Sequence, residues 1–578
     1  MVLSDNLVYF FKKILPPIGL LIFTFFIYYP TLIFCFIFDD LPTITENIHS
    51  RKIDCGGQFF QNPRWISRLL NQFTFVHWKS NPWAYRIFNI SLHLATGLLM
   101  FLFLFLVLRQ HKKNKFVHQN AYLISLLAMA LFLLHPVQTQ TVTYITQMRL
   151  EGLVAFFFFA VLLCFVVGAY TKRYLLKCLM YGLSLLLAAF AAGTKEIAIV
   201  LPFITVAVDW FFVAQGDFNN FKIRIPIHLL CLLIIFGLFF SYGYLVPRNI
   251  TSILVTPVRN NRGNILTPTH QDCITTYYYL ISQFKVVLHY IYIFLFPLNL
   301  CFDYDYKLST GFFNFDVLAP IFVLASIVCW AAIRLWRNLA DLGTFGILWF
   351  FILILPRASF FISTELVCDY KTYSASFGLL FLIAFIFAKG FHYFAKILNN
   401  TKYIYMQPTG FVVLVFVLGL SSKIRTNVWS SDLLFWKDAS EKSGKARCYN
   451  NYANAYADLG DIKNAMHYYE EAIKRDNFYA EPHINLGLMY QRLNQDEIAF
   501  WHYKRALEIG EGHPELFNNL GILNMKHYAY EEAEICFKKA LALRPNYSSA
   551  LVNLSKLCHF HGKTLDATTF FKFASKYA

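Results

Sequence analysis

Long apolar stretches alternate with short polar ones over most of the chain. Residues 14–37 are almost entirely apolar, and about 20 such residues are enough for a helix to cross a bilayer. The pattern recurs along the chain and predicts eleven membrane-spanning helices. The predicted spans are 14–37, 86–107, 121–135, 152–170, 175–193, 197–213, 227–245, 316–334, 343–356, 374–390 and 409–422.

A further apolar stretch, 277–297, is interrupted by the polar residues Gln283, Lys285 and His289. We therefore predict that this stretch lies on the outer membrane face or re-enters from it, and does not cross. Counting it as a span would reverse the predicted sidedness of everything that follows it.

Basic residues fall in alternate loops between the predicted spans, and this alternation predicts an orientation. Lysine and arginine are retained in cytoplasmic loops, so we expect the N-terminus in the cytoplasm and the C-terminal region outside. The basic positions are Arg109, Lys112, Lys113, Lys172, Arg173, Lys222, Arg224, Arg334, Arg337 and the stretch 389–402.

After the last span the chain changes to a repeat of 34 residues, which is the tetratricopeptide period. Such repeats are helix pairs that stack into a solenoid with a concave surface suited to a peptide, although a structural or dimerising role is the alternative. The columns in phase are Asn451, Asn485, Asn519 and Asn553; Ala472, Ala506, Ala540 and Ala574; and Tyr469, Tyr503, Phe537 and Phe571.

The predicted fold class is all-α. A polytopic domain over 1–425 precedes a connector, 426–444, and a repeat domain, 445–578. The predicted repeat units are 445–478, 479–512, 513–546 and 547–578.

Composition supports this division. Apolar residues make up 57% of the chain and charged residues only 15%, whereas soluble domains are nearer 25% charged. The net charge of +17 comes largely from basic loops, so it argues for membrane orientation and against nucleic-acid binding. The twelve cysteines are scattered and form no CxxC pair or Cys/His metal spacing.

Two adjacent carboxylates, Asp39 and Asp40, end the first predicted span. One of them could act as a general base toward a hydroxyl acceptor, since neighbouring carboxylates repel and one pKa is thereby raised. The pair is also a candidate for holding a divalent cation. The alternative is a solvated end of a span.

Two further charged clusters fall on the same predicted side. His135 ends the third span, and Arg149 and Glu151 open the fourth. The guanidinium of Arg149 matches phosphate oxygens, although an interfacial salt bridge is the alternative. Lys195 and Glu196 lie between two apolar runs with almost no loop, so they either pair with each other or serve a phosphate.

The fourth cluster, before the tenth span, contains Glu365, Asp369 and Lys371. Lys371 is a second candidate phosphate ligand, and either acid could position an acceptor. No glycine-rich phosphate loop, HExxH or GxSxG motif is present. The prediction of a site therefore depends on four clusters that converge on one membrane face.

In this order, the clusters and the repeats resemble the transmembrane and tetratricopeptide-repeat-containing protein O-mannosyltransferases, which are GT-C glycosyltransferases, and especially their bacterial relatives. The resemblance covers nearly the whole chain. The fourth cluster departs from the family pattern Glu-His-Arg-x-Tyr by having lysine in place of arginine. The residues that carry the resemblance are Asp39, Asp40, His135, Pro136, Thr139, Val142, Arg149, Glu151, Lys195, Glu196, Asp369, Lys371, Tyr373 and Gly378.

The resemblance implies a donor in which a sugar is carried on a polyprenyl phosphate, and a protein acceptor whose serine or threonine hydroxyl attacks the sugar. It implies Asp40 as the base with Asp39 positioning, and Arg149, Lys195 and Lys371 on the departing phosphate. Phosphate is a good leaving group, so no cofactor is required. The supporting residues are His135, Glu151, Glu196, Glu365 and Asp369.

We expect an integral protein of the bacterial inner membrane with periplasmic repeats that could bind the acceptor, or of the endoplasmic reticulum with luminal repeats. Two other functions fit the same sequence. One is an oligosaccharide ligase that transfers a lipid-linked glycan en bloc, for instance to a pilin. The other is a non-enzymatic tetratricopeptide scaffold anchored in the membrane.

Overall fold

The computed structural model describes residues 13–45, 51, 53, 64–243, 276–359, 365–397, 406–510 and 512–577. All regular elements in these ranges are helices, which confirms the all-α prediction. The chain forms two compact units, one of residues 1–302 with 306–431 and one of residues 303–305 with 432–578.

Eleven helices in the described ranges are long and apolar enough to cross a membrane, and the chain is an integral membrane protein. Leu342–Ile354 is a shorter apolar helix, corresponding to the predicted span 343–356. The eleven segments are Leu15–Ile33, Pro82–Gln110, Lys115–Leu134, Ile145–Tyr170, Tyr174–Ala192, Glu196–Val213, Phe218–Ser241, Thr276–Leu295, Phe315–Arg337, Ser376–Tyr393 and Thr409–Ser430.

Contacts between loops define two ends of this helical bundle. At one end, Lys113 Nζ donates to the carbonyl oxygen of Gln215 at 2.7 Å, and Trp210 Nε1 donates to that of Leu339 at 2.8 Å. At the other end lie Asp40 and the chain that enters the helix starting at Ile145. We call the second end the site end.

The helix Thr276–Leu295 is among the eleven by length and composition, yet both of its ends contact the site end. The Tyr279 hydroxyl donates to the carbonyl oxygen of Arg357 at 3.3 Å, and His135 Nε2 lies 3.3 Å from the carbonyl oxygen of Phe294. These contacts are those of a helix that stays on one side of the bundle. The short helix Leu342–Ile354 instead runs from near Arg334, at the far end, to Arg357.

Close backbone packing holds this short helix in place. A Cβ atom at Gly346 would lie under 3.0 Å from the carbonyl oxygen of Gly378, and one at Gly378 would clash with Gly346 in return. The two helices therefore touch at their backbones, which only glycine permits. The contact holds the helix Leu342–Ile354 against the helix Ser376–Ile397.

The second unit consists of four helix pairs preceded by the helix Asp432–Lys442. Aromatic rings of the second helices fill spaces left by glycines of the first helices: Tyr503 packs over Gly487, and Phe537 packs over Gly521. The pairs are Ala446–Asp458 with Ile462–Arg475, Ala480–Arg492 with Asp496–Ile509, Pro514–Lys526 with Tyr530–Leu543, and Ser548–Phe560 with Thr564–Tyr577.

Candidate functional site

Asp40 is buried at the site end, with 1% of its surface exposed. Its Oδ1 accepts a hydrogen bond from the backbone N–H of Thr146 at 3.0 Å, and its Oδ2 accepts one from that of Ile145 at 3.4 Å. Burial raises the pKa of Asp40 to about 6, although Arg86 and the two amides act in the opposite direction. Asp40 therefore joins the end of the first span to the start of the fourth.

Arg86 strengthens the same junction. Its guanidinium is buried and donates to the carbonyl oxygens of Phe34 at 3.2 Å, Cys35 at 2.5 Å and Thr143 at 2.8 Å. A buried arginine needs such acceptors, because an unpaired buried charge is very costly. Arg86 thus holds the chain before the aspartate pair against the chain before Ile145.

Asp39 differs from Asp40 because its side chain is exposed. The neighbouring Tyr144 is buried, and burial together with the negative charges of Asp39 and Asp40 raises its pKa. The Tyr144 ring also lies 5.9 Å from that of Trp429 and 6.4 Å from that of Tyr370. Tyr144 therefore connects the aspartate pair with the fourth cluster.

Glu151 is the centre of a buried ion-pair network. Its side chain is fully buried, and Lys195 Nζ lies 2.6 Å from its Oε1. Arg357 Nη2 lies 2.6 Å from its Oε2. Burial lowers the pKa of Lys195, and the charge of Glu151 acts against that shift. One carboxylate thus faces two cations whose side chains are only 14% and 16% exposed.

The network continues from Arg357 into the fourth cluster. Arg357 Nη1 also donates to the carbonyl oxygen of Lys371. Lys371 Nζ donates to the carbonyl oxygen of Glu365 at 2.6 Å, and the Glu365 carboxylate accepts from the Tyr370 hydroxyl at 2.9 Å. The ammonium of Lys371 is therefore hydrogen-bonded to its own loop, whereas Arg357 faces Glu151.

Arg149 lies one helical turn beyond Thr146 and is fully buried. Its Nη1 donates to the side-chain oxygen of Asn71 at 2.8 Å and to the carbonyl oxygen of Leu70. Its guanidinium carbon lies 4.5 Å from the centre of the Tyr85 ring. Its Nε and Nη2 have no hydrogen-bond partner among the described residues. Arg149 is thus at the same end of the bundle as Asp40.

Glu196 pairs with Arg64, not with the adjacent Lys195. Arg64 Nε donates to Glu196 Oε1 at 2.8 Å, and its Nη2 donates to Oε2 at 3.2 Å. The next residues also dock: the Ile66 N–H donates to the carbonyl oxygen of Gly193, where a Cβ would collide with the Trp65 indole. This pairing holds the helix Trp65–Trp78 over the site end.

His135 and Asp369 are the remaining predicted residues. His135 is buried, its ring contacts the Phe294 carbonyl oxygen, and burial lowers its pKa to about 4, so the ring is neutral at pH 7. Asp369 is buried at the start of the short 3-10 helix Asp369–Thr372. Neither side chain has an ion pair with the Glu151 network in the part of the chain that the structure describes.

No group of three or more His, Cys, Asp or Glu side chains placed to hold a metal ion occurs within the described ranges. The Asp39–Asp40 pair as a cation site remains a prediction.

Comparison with known proteins adds two findings. A tetratricopeptide repeat family model matches residues 446–479. A protein O-mannosyl-transferase of Caenorhabditis elegans is 24% identical over 468 residues, which is 77% of this chain and 60% of that protein. The chain is a distant relative of a protein O-mannosyl-transferase. This confirms the resemblance given by the motifs, and the chain spans 60% of the length of this relative.

Among solved structures, three matches each cover 25% of this chain. MamA is 16% identical over 85% of its own chain with a TM-score of 0.22, and Pseudomonas aeruginosa pilF is 19% identical over 66% with a TM-score of 0.23. YrrB, described as a tetratricopeptide protein with an unusual peptide-binding site, is 21% identical over 75% of its own chain with a TM-score of 0.21. Scores this low support no argument about function.

Sequence reasoning did not identify three residues that the structure places at the site end: Arg86, Tyr144 and Arg357. Arg86 stands at the start of the second predicted span, and Arg357 directly follows the apolar run 343–356. An ionisable residue at the end of a span is a signal for both. Tyr144 carried no comparable signal, since tyrosine is common at membrane interfaces.

Proposed function

We propose that this protein is a membrane glycosyltransferase that transfers a sugar from a polyprenyl-phosphate donor to serine or threonine hydroxyls of an extracytoplasmic protein. The observation that carries the proposal is one connected set of acidic and basic groups at a single end of the bundle. Similarity to a protein O-mannosyl-transferase supports the same reaction class.

In the proposed reaction, the acceptor hydroxyl oxygen attacks the anomeric carbon while the bond from that carbon to the phosphate oxygen breaks. The configuration at the anomeric carbon inverts, the hydroxyl proton passes to a carboxylate, and polyprenyl phosphate leaves. Negative charge accumulates on the leaving phosphate, so fixed cations beside it lower the barrier.

The Glu151 network supports an assignment of the phosphate ligands that differs from the sequence prediction in one residue. Lys195 and Arg357 share one carboxylate, so the buried group carries an excess positive charge that a phosphate would balance. Lys371 donates to a carbonyl oxygen of its own loop. We therefore assign the phosphate to Lys195 and Arg357, with Arg149 and its two unpaired nitrogens as a third ligand.

The base assignment also differs. Asp40 is buried and binds two backbone amides, which suits a residue that positions the chain. Asp39 is exposed beside it, so its carboxylate is accessible to an acceptor hydroxyl. We assign the general base to Asp39 and the positioning role to Asp40, the reverse of the sequence prediction.

An apolar groove supports a lipid donor. It has a volume of about 490 Å³ and is lined by side chains of four helices, among them Phe294, Phe322, Trp330 and Leu382. Phe294 is also the residue whose carbonyl oxygen contacts His135, so the groove begins close to the site. A polyprenyl chain placed there would lie at membrane depth.

The proposed sidedness follows from the basic loops. Lys113 and the chain around Gln215 meet at the end opposite the site, and basic residues are retained on the cytoplasmic side. We therefore assign the site end to the periplasm or the lumen of the endoplasmic reticulum.

The proposal is tested by glycoproteomics of a wild-type strain, a deletion strain, and deletion strains that express D39N or D40N. We expect one hexose on serine or threonine in the wild type. The amount of this modification should fall about 100-fold or more in the strain that expresses D39N. A deletion strain that expresses D217N should regain the wild-type amount. Asp217 is an exposed carboxylate at the opposite end and serves as the control.

A chain of sugars on the acceptor would instead identify a ligase that transfers glycans en bloc. Unchanged glycosylation in the deletion strain would leave the scaffold function. Full activity of D39N together with loss in D40N would restore the base assignment made from the sequence.

A further inference from the structure

The helix Trp65–Trp78 has polar side chains on its buried side and apolar side chains on its exposed side. The buried polar residues are Ser67, Gln72 and Thr74, and the exposed apolar residues are Phe73, Val76 and Trp78. A helix on the surface of a soluble protein has the opposite arrangement. Residues 79–81 alone separate this helix from the span Pro82–Gln110, so its exposed side suits the lipid boundary. Its polar side faces the bundle.

Asn71 lies in this helix and contacts Arg149. Arg149 Nη1 donates to Asn71 Oδ1 at 2.8 Å and to the carbonyl oxygen of Leu70 at 3.2 Å. A terminal guanidinium nitrogen carries two N–H groups, so these two acceptors occupy both of those on Nη1. Asparagine is a poor helix former, because its side chain competes with the backbone for hydrogen bonds. The contact with Arg149 gives a reason for its place in the middle of a helix.

The contacts of Nη1 leave the other edge of the Arg149 guanidinium intact. Nε and Nη2 present two parallel N–H groups, an arrangement that matches two oxygens of one phosphate. Among the described residues neither nitrogen has a hydrogen-bond partner, although Arg149 is fully buried. The rings of Tyr85 and Phe88 also lie against the guanidinium, with centres 4.5 and 5.4 Å from its carbon. The group is thus held at Nη1 and by two rings, and its Nε–Nη2 fork is left for an oxyanion.

The neutral charge of Asn71 matters as much as its position. Bidentate binding requires both N–H bonds to point at one anion, and a group already held in that orientation binds more tightly than one that turns freely. A carboxamide fixes the guanidinium without cancelling its charge, whereas a carboxylate would neutralise it. Glu151 shows the contrast, since its carboxylate pairs directly with Lys195 and Arg357. Arg149 thus keeps its positive charge in a fixed orientation.

The same helix is tied to the chain beside Lys195. The Ile66 N–H donates to the carbonyl oxygen of Gly193 at 3.0 Å. The start of the helix therefore has an attachment of its own, separate from Asn71. Removing the Asn71 side chain is expected to release the guanidinium of Arg149 and not the helix.

We propose that Asn71 is a positioning residue of the donor site. It holds the Nη1 edge of Arg149 so that the Nε–Nη2 fork binds the donor phosphate with two parallel hydrogen bonds. This inference rests on the proposed function, because the phosphate is that of the polyprenyl-phosphate donor. Binding alone tests it, since no chemical step is involved.

The test uses the full-length protein in detergent and two probes, farnesyl phosphate and the uncharged alcohol farnesol, with affinities measured by calorimetry. We expect the wild type to bind farnesyl phosphate more tightly than farnesol. N71A should bind farnesyl phosphate about tenfold more weakly, as expected for the loss of a hydrogen bond to a charged group. Its affinity for farnesol should not change, because farnesol carries no phosphate.

Two further variants show whether Asn71 acts through Arg149. R149Q removes the fork, so N71A/R149Q should bind farnesyl phosphate no more weakly than R149Q alone. N71D keeps an acceptor for Nη1 but adds a negative charge, so it should restore the thermal midpoint lost in N71A without restoring the affinity. If N71A fails to fold, unchanged farnesyl phosphate affinity in N71D overturns the proposal.

The matched control is N81A. The Asn81 side chain accepts from the Trp83 N–H at 3.1 Å and caps the next helix, so its loss should lower the thermal midpoint but not the affinity. An equal loss of farnesyl phosphate affinity in N81A and N71A overturns the positioning role, as does a further tenfold loss in N71A/R149Q relative to R149Q. A phosphate preference that N71A leaves unchanged overturns this inference alone. A wild type that binds both probes equally overturns the proposed phosphate site itself, and this inference with it.

Discussion

Arg357 and Glu151, which are 206 residues apart in the chain, form a buried ion pair with a separation of 2.6 Å. Lys195 completes the group from a third segment. The pair joins the end of the helix Leu342–Ile354 to the start of the fourth span. The cation beside Glu151 is thus Arg357, whereas the sequence had selected Lys371 as the candidate ligand from this region.

Replacing Arg357 tests both its charge and its geometry. R357A leaves Glu151 with one cation, and breaking a buried pair typically costs about 3–5 kcal/mol. We expect a clear fall in the thermal midpoint of the detergent-solubilised protein. R357K should restore most of the stability but not the transfer rate, because lysine lacks the two-pronged contact with phosphate.

The matched control is R334A. Arg334 also pairs with an acid, Asp341, at 2.6 Å, but the arginine side chain is 44% exposed and the acid 10%. Because water reaches this pair, R334A should cost less stability than R357A. Equal destabilisation by R357A and R334A would mean that the Glu151 network contributes no more than a half-exposed pair.

The protonation of Asp40 should be visible as a pH dependence of stability. Its pKa is about 6 in the folded protein and 3.8 in the unfolded chain, so the folded state binds its proton more tightly. Stability from this group is therefore present at low pH and is lost as the pH rises toward and through 6. As the pH falls from 7 to 4, the free energy of unfolding of the wild type should rise relative to that of D40N by at most about 3 kcal/mol. Thermal midpoints of the two proteins, measured across this pH range, should show the growing difference.

The opposite pH dependence would also identify the state of Asp40. A wild-type advantage over D40N that shrinks on acidification would show that Asp40 is a stabilised carboxylate, held ionised by Arg86 and the two amides.

In the repeat unit, His502 should produce the opposite pH dependence. It is buried with its Nδ1 3.1 Å from that of His483, and burial lowers its pKa from 6.5 to about 4. The unfolded chain therefore takes up the proton first, and stability is lost as the pH falls through 6.5 toward 4. Hydrogen exchange in the helices Ala480–Arg492 and Asp496–Ile509 should report a loss of about 2 kcal/mol at pH 5.

H502Q should reduce this dependence, and His483, whose pKa is also lowered by burial, contributes what remains. H467Q, which changes an exposed histidine, should leave the dependence intact. An unchanged pH response in H502Q would contradict the assignment to His502.

The glycine contact between two helices of the bundle predicts a steric effect. G346A places a methyl group under 3.0 Å from the carbonyl oxygen of Gly378, and overpacking of this kind costs about 1–3 kcal/mol. G390A, in the helix Ser376–Ile397 with open space around its Cβ position, should instead be neutral or slightly stabilising. The measurement is the thermal midpoint of each variant. Equal midpoints for G346A and G390A would contradict the close contact between Gly346 and Gly378.

The sequence predicted the helical class, the positions of the apolar helices and the repeat solenoid, because each depends on a period or a length that a single chain displays. It also selected acidic and basic residues at span ends. It could not predict that Glu151 forms an ion pair with Arg357, or that Glu196 pairs with Arg64 and not with its neighbour Lys195, since these partners come from distant segments. The different burial of Asp39 and Asp40, which are adjacent in sequence, is likewise a result of tertiary packing.

One consequence concerns which parts of the protein can move during a reaction cycle. Arg86 ties Phe34 and Cys35 to Thr143 through three hydrogen bonds, and Asp40 adds two more to the same junction. These five hydrogen bonds hold the chain that carries Asp39 and Asp40 rigidly against the start of the fourth span. Any movement that the proposed transfer reaction requires would therefore have to come from segments outside this junction.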